Sequence, residues 1–220
     1  MSKGIQFDEY PVKKHRALYR VFKNEHGANG FNIMGNGWGR FNPLRKGGKV
    51  IPTLYIAFDD RIAMLETILR RDSRSKKPEL TWLPSMDEKK PKDERTHLGQ
   101  VESQRDLRLL DMESVRDENG VNPYLELIRG DQSIYARSQR RAVYLHAKYP
   151  YIDGLTWFSY QSKLPGERCI VLFGDRVLPD TLSFSLDEPM GTIENQARLR
   201  DALATVGAKI LNDFLRKTDK

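Results

Sequence analysis

Thr53-Leu54-Tyr55-Ile56-Ala57-Phe58 is a near-continuous apolar run, bounded by Pro52 and Asp59. Its length and β-rich composition predict a buried strand. Asp59-Asp60 then offers a helix N-cap, and Ile62, Ala63, Leu65, Glu66, Ile68 and Leu69 follow at helical spacing. The same reasoning places strands at 18–22, 107–112 and 169–173 and a helix from Ile134 to Lys148. A last helix is expected over Thr192 to Lys217, with Ile193, Ala197, Leu203, Val206, Ile210, Leu211 and Phe214 as its stripe. Strands and helices alternate without a regular βαβ rhythm, so an α+β fold is expected rather than a doubly wound sheet.

At 220 residues the chain is expected to form a single domain over 1–220. Residues 70–97 interrupt the pattern with charges of both signs and are expected to be a solvated surface insertion, pinned by the apolar island Leu80-Thr81-Trp82-Leu83-Pro84. One cysteine, Cys169, rules out an internal disulfide and points to a reducing, cytoplasmic setting. No apolar stretch reaches the ~18 residues of a membrane span, and no signal-peptide core follows Met1. The formal charge is 37 − 30 = +7, which suits an anionic ligand without naming it.

Metal chemistry is not indicated: His15, His26, His97 and His146 stand far apart, and no cysteine pair exists. Neither a serine-hydrolase elbow nor a GxxxxGK[ST] phosphate loop is present. Cys169 opens an apolar strand and reads as a buried, inert thiol. Four places remain. The glycine-rich stretch 27–43 lets backbone N–H groups approach an anion, and Arg40 within it adds a bidentate fork. Glu66 sits at the edge of its helix stripe, either solvated or turned into a cleft. Arg20, inside an apolar strand, faces solvent or requires a partner such as Glu66 or a phosphate. Ser159 follows a turn and a short strand.

Order adds what each residue lacks alone. Tyr19-Arg20, Gly39-Arg40-Phe41-Asn42-Pro43, Leu54-Tyr55-Ile56-Ala57, Ala63-Met64-Leu65-Glu66, Asp153-Gly154 with Ser159, and Val171-Leu172-Phe173 run in sequence. This series resembles the RES-domain family, named for an arginine, a glutamate and a serine, over residues 18 to about 176. Phe41 replaces the family's usual Trp, and Trp38 stands where a second glycine is usual. The resemblance implies a fold like the diphtheria-toxin type of ADP-ribosyltransferase and an NAD-consuming toxin of a toxin–antitoxin pair. It implies an Xre-type antitoxin as partner, through which alone nucleic acid would be met, and no membrane. By the same resemblance, Arg20 and Arg40 hold the NAD pyrophosphate or ribose side, and Tyr55 stacks on nicotinamide. Glu66 stabilises the oxocarbenium-like state, and Ser159 bonds the nicotinamide or its ribose. Tyr19, Gly39 and Asn42 complete the implied substrate-binding set. No metal is called for.

An ADP-ribosyltransferase acting on a protein would use the same site. A basic nucleic-acid-binding module or ribonuclease is the reading from a different class. Against it, the basic residues are scattered and no histidine pair suggests acid–base work. A catalytically dead relative is disfavoured by the presence of all five key residues together. The C-terminal stripe suits either core packing or a homo-oligomer.

Overall fold

Of the run at 53–58, Thr53–Ala57 forms a strand in the middle of a sheet covered on both faces, which explains why it is apolar nearly throughout. The structure, a computed structural model, describes residues 5–71, 78–80, 83, 90–92, 95–162 and 166–218. In chain order come β1 (Glu9–Val12), β2 (Ala17–Lys23), β3 (Leu44–Lys46), β4 (Lys49–Ile51), β5 (Thr53–Ala57) and α1 (Asp60–Ile68). Next are β6 (Leu69–Arg71), β7 (Pro78–Leu80), β8 (Thr96–Ser103), β9 (Leu107–Asp111), α2 (Leu125–Arg129) and α3 (Tyr135–Lys148). β10 (Gly154–Phe158), β11 (Arg168–Phe173), β12 (Leu182–Pro189), α4 (Ile193–Val206) and α5 (Ala208–Thr218) end the described chain.

Eight strands form one mixed sheet in the order β1-β9-β10-β11-β5-β2-β8-β12, with two small hairpins, β3-β4 and β6-β7, beside it. Only β9-β10 is parallel within the large sheet. The fold is therefore mixed α+β, as expected. β5 and β11 pair over five residues, from Cys169↔Ala57 to Phe173↔Thr53. β2 and β8 pair over seven, but β2 meets β5 only at Tyr19↔Ala57. The sheet thus splays open between β2 and β5, and side chains at the splay face a gap in place of a neighbouring strand.

Alternation divides the core. Leu54, Ile56, Ile170 and Leu172 pack on one face with Leu18 and Phe22, while Ala57, Cys169, Val171 and Phe173 face the helices. Asp59 caps α1 by accepting from the Arg61 N–H at 2.9 Å. Ile62, Ala63, Met64, Leu65 and Ile68 of α1 are all buried, so this helix is enclosed on most sides.

Asp153-Gly154 has a structural explanation. Asp153 is 6 % exposed, and its carboxylate grips Arg105 at 2.6 and 2.9 Å and the Arg108 N–H at 2.9 Å. Gly154 passes so close to β11 that a Cβ would lie 2.2 Å from the Val171 carbonyl oxygen. The pair thus locks the start of β10 between β9 and β11.

Two expectations need correction. The expected helix over 192–217 is two helices: Gly207, at φ 146°, ends α4 and α5 starts at Ala208. Ile193 and Ala197 lie on the exposed side; the buried stripe of α4 is Asn195, Leu199, Ala202, Leu203 and Val206. The break re-aims the chain, so one stripe cannot be extrapolated across it. The expected insertion ends before 97, because Thr96 and His97 already belong to β8. Leu83 is buried and Leu80 packs on the core, which fits the pinning role, whereas Thr81, Trp82 and Pro84 lie outside the described residues.

Candidate active site

A cleft of about 390 Å³ opens at the splay between β2 and β5, a volume within the range of about 300–1,000 Å³ usual for small-ligand sites. Tyr19 and Arg20 from β2, Gly39, Arg40 and Asn42 from the glycine-rich loop, Tyr55 from β5 and Glu66 from α1 all line it. Ser159 reaches the same place from the end of β10 by bonding Glu66. All eight residues singled out from the sequence therefore converge.

Because α1 is enclosed on most sides, Glu66 emerges into the cleft and not into bulk water. The Ser159 hydroxyl donates to Glu66 Oε1 at 2.7 Å. Its oxygen accepts the backbone N–H groups of Gln161 at 3.2 Å and Ser162 at 3.3 Å. With both acceptor directions taken by N–H groups, its single proton is committed to the carboxylate. Ser159 is buried, so this small network holds the carboxylate of Glu66 at a set orientation.

Arg20 does not pair with Glu66. Its Nη1 lies 2.7–3.3 Å from the carbonyl oxygens of Gly27, Ala28 and Gly30 and thereby ties the glycine-rich loop to β2. Burial lowers its pKa to about 10, so it stays cationic at neutral pH. Arg40 is held the same way: Nη2 donates to the Gly130 carbonyl at 2.8 Å and Nη1 to that of Leu127, with the Tyr135 ring 5.3 Å below. Among the described residues neither arginine has a carboxylate partner. Two cations held by carbonyl dipoles thus share the cleft with the carboxylates of Glu66 and Asp131.

Tyr55 is half-buried, and its hydroxyl accepts the Phe41 N–H at 2.6 Å, which fixes both its own ring and the loop. Phe41 is fully buried and packs edge-on against Trp157 with ring centroids 5.0 Å apart. Asn42 is an organiser of the loop: its Oδ1 accepts from Asn32 and Thr53, each at 3.1 Å, and its Nδ2 donates to the Asn36 carbonyl at 2.7 Å. Trp38, by contrast, stands 56 % exposed at the rim, beside Gly37, whose φ of 80° favours glycine.

Cys169 also lines the cleft but is buried. Burial first, and the negative charge of Glu66 second, hold its thiol well above the usual range, so it remains protonated and is no nucleophile. Among the described residues no group of three or more His, Cys, Asp or Glu is placed to hold a metal ion. No helix among them is long and apolar enough to cross a membrane.

Sequence reading missed two contributors. Gln139 of α3 is buried and donates to the carbonyl oxygens of Gly39 at 2.8 Å and Asn42 at 2.9 Å, clamping the loop from below. A signal existed: Gln139 falls on the stripe of Tyr135, Ala142 and His146, where a buried polar side chain requires a partner. Gln161 lines the cleft next to Ser159, and nothing but that proximity marked it.

A mixed α+β domain with a cleft that sets two arginines beside a serine-held glutamate is the class this geometry defines. The RES domain family model matches residues 16–187, and the chain belongs to the RES-domain family. No curated protein matches the sequence. Among solved structures the chain is similar to one in the crystal structure of the M. tuberculosis MbcT–MbcA toxin–antitoxin complex. The TM-score is 0.56 at 18 % identity, covering 86 % of this chain and 91 % of that one, so the likeness is one of fold.

Proposed function

We propose that this protein is an NAD-degrading toxin of a toxin–antitoxin system that cleaves the bond between nicotinamide and ribose. The observation that carries the reading is the Ser159–Glu66 pair, set in one cleft with two arginines that have no acidic partner among the described residues. A dinucleotide offers what those groups ask for: a diphosphate for Arg20 and Arg40, a planar ring for Tyr55, and ribose hydroxyls for Glu66. Among the described residues only Nη1 of Arg20 bonds to protein, which leaves its other N–H groups to an anion.

In the reaction the C1′–N bond breaks with its electron pair going to the pyridinium nitrogen, which leaves as neutral nicotinamide. Positive charge moves onto the ribose C1′ and ring oxygen. The Glu66 carboxylate, already oriented by Ser159, meets that charge without reorganising. Water or phosphate then bonds C1′; a water attacker releases its proton to solvent. The same demand for a carboxylate beside an oxocarbenium-like centre governs glycoside cleavage. The reading includes a partner antitoxin, of the Xre type, that restrains the activity, and a cytoplasmic site of action where NAD is at hand.

The test is NAD consumption by purified protein beside a Glu66→Gln variant shown to be folded. Wild type is expected to release nicotinamide, and the variant to be slower by about 10²–10³-fold. The second product, ADP-ribose, its phosphorylated form or a modified protein, identifies the acceptor. A folded wild type that consumes no NAD, with or without phosphate, refutes the reading.

A further inference from the structure

We propose that Gln161 reads the carboxamide of the substrate's pyridinium ring and makes the cleft selective for nicotinamide over nicotinic acid dinucleotides. This rests on the reading of the site as an NAD-cleaving centre. It starts from a buried polar atom without a partner. Gln161 lines the cleft, and its backbone N–H is tied to the Ser159 hydroxyl that holds Glu66. Its side-chain Nε2 donates to the Leu69 carbonyl at 3.5 Å. A carbonyl oxygen only accepts, so that contact sets which way the amide points: NH₂ toward Leu69, Oε1 away from it. Oε1 is then buried with no hydrogen-bond partner among the described residues.

Buried acceptors left unpaired are costly and few, and one beside a candidate catalytic pair calls for a ligand. The Leu69 bond lies at the long limit for a hydrogen bond, so it restrains the amide only weakly. A small turn of the amide presents Oε1 to the cleft. The group it meets must be a donor, since Oε1 only accepts, and it must not be anionic, since Glu66 is close by. A carboxamide NH₂ satisfies both demands. A carboxylate offers only lone pairs and a negative charge. The scissile bond lies beside Glu66, and Gln161 hangs from the serine that bonds Glu66. The group within its reach is therefore on the departing ring rather than on the distant adenine.

The experiment measures kcat/KM of wild type, Gln161→Leu and Gln161→Met on NAD, on its 3-acetylpyridine analogue, where a methyl replaces the NH₂, and on nicotinic acid adenine dinucleotide. Taking wild-type to variant ratios for each substrate cancels the intrinsic difference between leaving groups. Losing one such contact is expected to lower kcat/KM on NAD by about 10- to 100-fold, and on the acetylpyridine analogue by less than about 3-fold. Wild type is expected to prefer NAD over the nicotinic acid form by at least about 100-fold. Equal losses on NAD and the analogue would mark Gln161 as structural and overturn the proposal while the NAD reading stands. If neither variant folds, equal turnover of the amide and acid forms by wild type overturns it equally well. A folded wild type inert on all three dinucleotides removes the NAD reading, and this proposal with it.

Discussion

Ser159→Ala isolates the part of the site that orients rather than reacts. The substitution removes one hydroxyl from a buried position, together with its 2.7 Å bond to Glu66 and its two longer bonds from the Gln161 and Ser162 N–H groups. A hydrogen bond to a charged group contributes about 1.5–3 kcal/mol. If all of it serves to hold Glu66 where positive charge develops, the loss at about 1.36 kcal/mol per decade is about 10- to 160-fold in kcat/KM for NAD. The two N–H groups keep access to water or shift slightly, so the stability loss is about 1–2 kcal/mol, or about 2–8 °C in a domain of this size. Nicotinamide release measured by chromatography, beside a thermal melt, separates the two effects. Ser159→Thr keeps the donor and should recover most of the rate. A folded Ser159→Ala variant with wild-type kcat/KM would refute the orienting role, and a Ser159→Thr variant as slow as Ser159→Ala would show that packing is what matters there.

Three further outcomes are expected. Arg168 and Asp111 form a bidentate pair at 2.7 and 2.9 Å that braces β11 to β9, with Phe158 4.1 Å from the guanidinium; Asp111→Ala strands the buried cation and should cost about 3–5 kcal/mol in denaturant unfolding. His146 is buried with Nε2 on Asp175 at 2.9 Å and Nδ1 without a partner among the described residues, and burial, helped by the charges of Arg176 and Lys46, lowers its pKa against the pull of Asp175. The fold therefore holds it neutral, so its contribution is fully present above the unfolded value of about 6.5 and is lost as pH falls through the lower folded value. Melting temperature should drop on acidification across that window, and less so in His146→Gln; an identical drop in the variant would assign the effect elsewhere. Trp38 at the rim is expected to be covered by bound dinucleotide, so NAD added to the slow Glu66→Gln variant should quench tryptophan emission, and adding Trp38→Phe should abolish most of that change.

Strands 18–22, 53–58, 107–112 and 169–173 were legible because each is apolar over a length suited to a strand, and α1 because an Asp cap precedes a helical period. The break in the helix at 192–217 is hidden in the sequence for a local reason. Gly207 carries no period of its own, and only its φ of 146° makes it a break instead of a helical glycine. The start of β8 was hidden because Thr96 and His97 continue the polar texture before them. At the site, the ordered series from Tyr19-Arg20 to Ser159 named the residues, but not their partners. Glu66 and Ser159 are far apart in the chain and meet because α1 and the end of β10 flank the same strands. Arg20, for which Glu66 had been one candidate partner, is instead held by loop carbonyls.

The sequence by itself determined the class of fold, the family and eight of the residues that gather at the cleft. These depend on local period and on residue identity in order along the chain. Only the tertiary structure decided where the sheet opens, since one paired residue between β2 and β5 leaves the gap the cleft occupies. It also decided which polar groups are satisfied and which are not. Hydrogen-bond partners are settled by distances across 90 or more residues, as for Ser159 with Glu66 and Gln139 with Gly39, and no local pattern encodes such distances.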